Sequence, residues 1–323
     1  MRHFCTLFDS NYLLKGVAML RSLKQHCPDA HVDVLCMDQQ TRDLLEKLHL
    51  PDVAYLSLAE VEDEALLAVK PTRSVAEYCW TLSPCLPWYV MQHNPHVQEI
   101  TYLDADLYFY GSLQPLFDEI GEASITIIEH RFPPLLKHLE MNGRFCVQWV
   151  GFKRDGQGMA CLARWREQCI EWCFHRLEEK RMGDQKYLDE WPATYSNLCI
   201  LTHLGAGVAP WNYSQNRFGY GAERGFTVDG APLIFYHFHQ FQLLANGDFD
   251  RLSAAYRAMG QEPDAVYRAY EDALTQILTE VRALVPGFVD GLRPALLVKS
   301  QRLVQYLVPH AVKEILKKFI KAV

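Results

Sequence analysis

Residues 100–111, ITYLDADLYFYG, constrain the fold more than any other stretch. An apolar run leads into Asp104 and Asp106 on either side of the small Ala105, and an apolar, aromatic run follows. Residues two apart in a strand face the same way. If 100–103 is a buried strand, both carboxylates stand at its carboxyl end, where the chain leaves the sheet. Like charges placed so close repel, and desolvation penalises both, unless a cation or hydrogen-bond donors compensate. Hard divalent cations take oxygen ligands of this kind and share them with substrate phosphates. Open α/β sheets bind ligands at the carboxyl ends of their strands. The alternative, two solvated acids in a turn, is disfavoured by the apolar flanks on both sides. The stretch therefore predicts an α/β sheet with a metal–phosphate site at Asp104 and Asp106.

The rest of the chain agrees with an α/β rhythm. HFCTLFD, 3–9, reads as an opening buried strand that ends in the turn and cap residues Asp9, Ser10 and Asn11. A helical period over 12–25 precedes an alternating strand, HVDVLCMD, then a helix over 41–48 and a strand candidate at 53–58. Strands alternating with helices imply a mostly parallel sheet with crossover helices. No G-x-G-x-x-G follows the first strand, which disfavours a conventional dinucleotide site.

Further along, 59–97 reads as helical but broken by Pro71, Pro84 and Pro87. Arg73 is hard to place in a core and is available to a phosphate or sugar. Strands follow at 123–130 and 141–155, the second as a pocket floor, and then a core-facing amphipathic helix over 159–177. Asp184 and Gln185, after Gly183, form a pair able to hydrogen-bond to hydroxyls. Gly205 and Gly207 let backbone approach a ligand closely. Trp211 and Asn212 offer an apolar ring and an amide, a pairing suited to a carbohydrate or a base. In PLIFYHFHQF, 232–241, His237 and His239 fall on one face of a strand. Alongside the paired aspartates, that placement points to the metal.

Length and charge set the outer bounds. A single core stops growing near 250–300 residues, so 323 residues divide into a catalytic unit, 1–245, and a helical region, 246–323. There is no apolar run of the length a bilayer requires and no secretory segment at the start. Ten cysteines without zinc spacing read as reduced and buried, which places the protein in the cytoplasm. A net charge of −7 excludes nucleic acid as a partner for the whole chain. From Arg293 onward there are seven Lys or Arg and one Glu, a net of +6, which leaves −13 for the remainder. Over 310–323, apolar Val312, Ile315, Leu316, Phe319 and Ile320 oppose Lys313, Lys317 and Lys321. This pattern fits either a helix lying on an anionic membrane surface, making the protein peripheral on its inner face, or a core-docked helix with a solvated lysine face.

YLDADLYFYG, GDQKYL, GAGVAPWN and YHFHQF, in this order and spacing, resemble the nucleotide-sugar glycosyltransferases of the GT-A fold. Within them, the family 8 group of glycogenin and the lipopolysaccharide galactosyltransferases, together with bacterial surface-polysaccharide transferases, is most similar. The resemblance covers roughly 1–245. It implies a Rossmann-like, mixed and mostly parallel sheet flanked by helices, with a C-terminal helical appendage. It also implies transfer of a hexose from a nucleoside-diphosphate sugar, UDP-sugar favoured, to a hydroxyl of a glycan or lipid-linked glycan, with retention of configuration.

By the same match, Thr6, Phe8, Asn11 and Tyr12 line the nucleotide pocket, with Tyr12 stacked on the base. Asp104, Ala105 and Asp106 hold the ribose and Mn²⁺ or Mg²⁺. His237 completes the metal shell, with His239 as an alternative ligand. Asp184 and Gln185 stand at the reaction centre, and Trp211 and Asn212 near the sugar or acceptor. The family motif has a glycine three positions after its histidine, where this chain has Gln240, and its diphosphate-gripping K-P-W segment has no clear copy here. The competing readings are a sugar-phosphate nucleotidyltransferase, disfavoured because LFDSNYLLKG lacks a Gly-rich basic loop, and a nucleotide-binding scaffold without turnover.

Overall fold

The computed structural model describes residues 1–222 and 225–295. The expected membrane-binding segment, 310–323, lies outside the described residues. Eight strands build the part that carries the site: β1 (Arg2–Phe8), β2 (Ala30–Cys36), β3 (Val53–Ser57), β4 (Glu99–Leu103), β5 (Leu107–Phe109), β6 (Ile125–Glu129), β7 (Phe145–Lys153) and β8 (Leu198–Leu201). All except β5 form one sheet in the order β3-β2-β1-β4-β7-β6-β8. Only β7 runs antiparallel to its neighbours, so the sheet is mixed and mostly parallel as the sequence predicts.

Both faces of the sheet are covered, which is why β1 is apolar almost throughout. Phe4 and Phe8 pack into the core beneath the helices Leu13–His26 and Asp264–Leu284. Cys5 and Leu7, on the opposite face, join the core beneath the helices Val75–His93 and Gly156–Glu171. Asp38 caps the helix Gln39–Leu48 by accepting the Thr41 amide at 2.7 Å. The helix Asp264–Leu284 is tied to the first helix by Arg21 and Glu280, 2.6 Å apart, and its Tyr270 ring stacks on Phe238 at 3.8 Å. Beyond residue 245 the chain also forms the short strands Phe249–Asp250 and Leu292–Arg293, each paired with Gln242–Leu244.

Two expectations about helices are corrected. Val75–His93 is one continuous helix with Pro84 and Pro87 inside it. A capping box of Ser74 and Glu77 starts it. The Thr81, Ser83 and Cys85 side chains bond back to the carbonyls of Glu77, Cys79 and Thr81. Burial of Leu82, Leu86 and Val90 outweighs the local disruption by proline. The helix expected over 159–177 instead spans Gly156–Glu171, started by Asp155, which accepts the Gln157 and Gly158 amides. Trp172 and Cys173 stay buried beyond its end.

β5 leaves the main sheet and pairs antiparallel with the strand Phe235–His237. In this ribbon Leu107 lies opposite His237, and the Phe238 amide donates to the Asp106 carbonyl at 2.8 Å. The backbone of Gly205 is pressed against the strand that follows it, since a β-carbon there would lie 1.9 Å from the Pro232 carbonyl oxygen. That close approach serves chain packing, and Gly205 is not among the residues that line the cavity at the carboxyl ends of β1 and β4. All ten cysteines are unpaired and eight are buried. No helix among the described residues is long and apolar enough to cross a membrane.

Candidate active site

A cavity of about 670 Å³ opens at the carboxyl ends of β1 and β4, within the range of small-molecule sites. Its first wall is the turn after β1. Asp9 accepts the Tyr12 amide and the Asn11 side chain, and this presents Tyr12, 43% exposed, to the cavity. The Phe8 ring is buried beside it, over Gly16, where a β-carbon would come within 2.5 Å of the ring.

The floor follows β4. Asp104 and Asp106 both line the cavity, with Ala105 between them. His237 Nε2 lies 3.0 Å from Asp106 Oδ1 and 3.9 Å from Asp104 Oδ2. Burial raises the Asp104 carboxyl to about 6, against the pull of His237. Burial also opposes ionisation of Asp106, but the paired His237 outweighs it and holds that carboxyl well below its ordinary value. The same pairing raises His237 against its own burial. His239 is lowered to about 4 by burial and by His237, so it is neutral at physiological pH and keeps a lone pair.

These residues fit a divalent cation. The ligand atoms of Asp106, His237 and His239 lie within 4.8 Å of one another, as do those of Asp104, Cys146 and His237. Burial raises the Cys146 thiol and so disfavours the thiolate form that binds metal. The set of carboxylate and imidazole donors is the better one, and it brings both histidines to the same place.

Across the cavity, Gly183, with φ of 55°, turns the chain so that Asp184 and Gln185 reach the lining. Asp184 is raised to about 7, first by burial and then by Asp104. The Trp165 indole donates to the Asp184 carbonyl at 2.9 Å and anchors the turn. The Gln185 side chain donates to the Asn142 carbonyl at 3.0 Å.

Trp211 lines the cavity edge-on to both His237 and His239 and donates its indole N–H to the His130 carbonyl. Its neighbour Asn212 does not reach the cavity. The Asn212 amide accepts the Ala209 N–H and donates to the carbonyls of His130 and Gly207, all at 2.9 Å. Thr6, Asn11 and Arg73 also stand off the cavity lining. Thr6 is wholly buried in β1. Asn11 is held by Asp9 and by the Gly291 amide. The Arg73 guanidinium lies over the Phe174 ring at 3.8 Å and donates to the Ile170 carbonyl, joining two helix ends.

Sequence reading missed several residues of the site. His130, at the end of β6, lines the cavity and is lowered to about 3 by burial. Trp80 and His175 meet edge to face on its far wall. Gln148 accepts the His237 ring N–H and so orients that imidazole, with Nδ1 and Oε1 3.1 Å apart. A glutamine inside the buried strand FCVQWVGFK was a readable signal. Gln240, where the resembling family has glycine, holds φ of 61°, a backbone conformation suited to glycine.

No protein-family model matches the chain. The uncharacterized protein YfnF of Bacillus subtilis is 32% identical over 294 residues, which cover 88% of this chain and 95% of that protein. YfnD of the same organism is 32% identical over 307 residues, covering 94% of this chain and 98% of its own. Among solved structures, an active-site mutant of LgtC superposes with a TM-score of 0.50 at 13% identity, covering 83% of this chain and 99% of LgtC. The chain thus belongs to the same family as Bacillus subtilis YfnF and YfnD, and its fold is the GT-A glycosyltransferase fold of LgtC.

Proposed function

We propose that the protein is a metal-dependent glycosyltransferase that moves a hexose from a nucleoside-diphosphate sugar, UDP-sugar favoured, to a hydroxyl of a glycan or lipid-linked glycan in surface-polysaccharide synthesis. The observation that carries this reading is the convergence of Asp104, Asp106, His237 and His239 at one edge of a cavity whose other wall bears Asp184 and Gln185. Asp106, His237 and His239 would hold Mn²⁺ or Mg²⁺, with Asp104 alongside for the ribose. A divalent cation held by these residues would supply the charge that neutralises a departing diphosphate. Tyr12 presents an aromatic face for the base. Asp184 and Gln185 hold and orient hydroxyls, a positioning task.

Retention of configuration, which the family resemblance implies, is part of the proposal, with the departing phosphate able to take the acceptor proton itself. Product anomer analysis by NMR checks it, and an inverted product removes it, leaving Asp184 as the candidate base. The basic segment 310–323 is the proposed contact with an anionic membrane. Its deletion is expected to release the protein from anionic liposomes at low salt.

The central test is a screen of sugar nucleotides for hydrolysis with and without Mn²⁺, comparing wild type with Asp106→Asn. Metal-dependent turnover that the substitution abolishes supports transfer. Binding of a nucleoside diphosphate without any turnover supports a non-catalytic scaffold instead.

A further inference from the structure

A diphosphate carries charge that the cavity lining does not meet with any Lys or Arg, and the K-P-W segment expected after His237 is missing. A cation does stand next to the cavity. Lys15, in the first turn of the helix Leu13–His26, is only 8% exposed. Its Nζ lies 4.5 Å from the centroid of the Tyr12 ring, which lines the cavity. Among the described residues it has no hydrogen bond and no ion pair. Lys15 feels the charge of Asp106 but donates to no acceptor among the described residues, which leaves its ammonium available to an anion entering beside Tyr12.

A second cation approaches from the far end of the described chain. The Gly291 amide donates to Asn11 Oδ1 at 3.4 Å, and a β-carbon on Gly291 would lie 2.2 Å from the Asn11 carbonyl oxygen. Asp290 accepts from the Gln40 side chain at 2.6 Å. Residues 290–293 are therefore clamped against the loop that presents Tyr12. The strand Leu292–Arg293 pairs with Gln242–Leu244, a few residues after His239. Arg293 is exposed and, among the described residues, its side chain has no ion pair. The field of Asp106 favours the charge on Lys15, while burial and Arg293 oppose it. Neither cation is held in a salt bridge among the described residues, so both are available to a polyanion.

We propose that Lys15 and Arg293 bind the donor's diphosphate, which makes segment 290–293 part of the donor site. This assignment rests on the glycosyl-transfer reading. The other role open to Lys15, balancing Asp106 in the fold, predicts a different pattern of binding.

The test is titration calorimetry with UDP, UMP and uridine, each with and without Mn²⁺, on wild type, Lys15→Met, Lys15→Arg and Arg293→Gln. Methionine keeps length and removes a buried charge, so the fold is expected to survive, and apo melting temperature verifies this. Lys15→Met is expected to weaken UDP about 10–100-fold and UMP less, leaving uridine within about twofold. Arg293→Gln is expected to weaken UDP about 3–10-fold, and Lys15→Arg to restore part of the loss. Unchanged UDP affinity in both neutral variants, or equal weakening of uridine and UDP, overturns the assignment while leaving the transfer reading intact. A wild type that binds none of UDP, GDP and CDP removes the transfer reading and this assignment with it. If GDP binds in place of UDP, the same series is run with GDP, GMP and guanosine.

Discussion

Gln148 of β7 and His237 of the ribbon are joined by a contact of 3.1 Å between Oε1 and Nδ1. An amide oxygen can only accept, so Nδ1 carries a proton and Nε2 is the nitrogen turned toward Asp106, 3.0 Å away. The other Gln148 amide atom, Nε2, is buried without a partner. Gln148 thus acts on the acids through the histidine.

Replacing this glutamine should therefore disturb the metal without emptying the site. Gln148→Leu is expected to lower Mn²⁺ affinity about 10–100-fold while the fold persists. Manganese binding by electron paramagnetic resonance measures the loss. An affinity equal to wild type would exclude an orienting role for Gln148, and the parallel His237→Ala and His239→Ala variants show which ring holds the metal.

Asp184 predicts a pH effect in the metal-free protein. Its carboxyl is raised to about 7 by burial, from an ordinary value near 3.9. A raised carboxyl lends its full stability below the ordinary value and loses it as pH climbs through about 7, because the ionised form is the one that burial penalises. Asp184→Asn removes that loss. At pH 8 the variant is expected to exceed wild type by on the order of 2–4 kcal/mol, with the difference disappearing toward pH 4. Urea unfolding at the two pH values reads this out, and a gap that does not change with pH contradicts it.

Asn212 should reveal itself through stability. Asn212→Ala strands the buried Ala209 amide and the Gly207 carbonyl and removes one of the two donors to the His130 carbonyl, for an expected loss of about 2–4 kcal/mol. The acceptor KM of the folded fraction should stay within about twofold, since less than 1 kcal/mol of binding is at stake. A large rise in that KM with stability unchanged would put the side chain on the substrate after all.

Gln240 offers a test in the opposite direction. Its left-handed backbone costs a non-glycine residue roughly 1–2 kcal/mol. Gln240→Gly is expected to match or exceed wild-type stability by up to about 1 kcal/mol after the extra chain entropy of glycine, with activity kept. Gln240→Val should destabilise. Thermal melts of the two variants decide the matter.

What could be read in advance followed local rules. The strand end at Asp104 and Asp106 needed only the apolar run before it, and the period of a strand found His237; the strand ends there, however, and His239 reaches the same site from the turn that follows. The parallel sheet followed from alternating strands and helices. What could not be read depends on partners distant in sequence. Asn212 resembled a ligand because an amide beside a tryptophan says nothing of the Ala209, Gly207 and His130 backbone waiting for it. Arg73 resembled a phosphate contact until Phe174 and the Ile170 carbonyl claimed it. Pro84 and Pro87 promised breaks that burial among distant side chains overrode. Lys15 went unremarked because a lysine in a helical period reads as solvated, and nothing local shows that the turn after Arg2–Phe8 and the segment near Gly291 close around it.

The ribbon that unites Leu107 with His237 also sets when the candidate site can form during synthesis of the chain. A nascent chain that has emerged only as far as β8 holds Asp104 and Asp106 but lacks both imidazoles. Such a chain presents an unbalanced pair of acids and, on the proposed reading, would bind a divalent cation only weakly. Competence arrives with the strand Phe235–His237, after most of the main sheet has had time to fold vectorially. Ribosome-stalled chains in which residues 235–239 have or have not cleared the exit tunnel are therefore expected to differ sharply in manganese affinity.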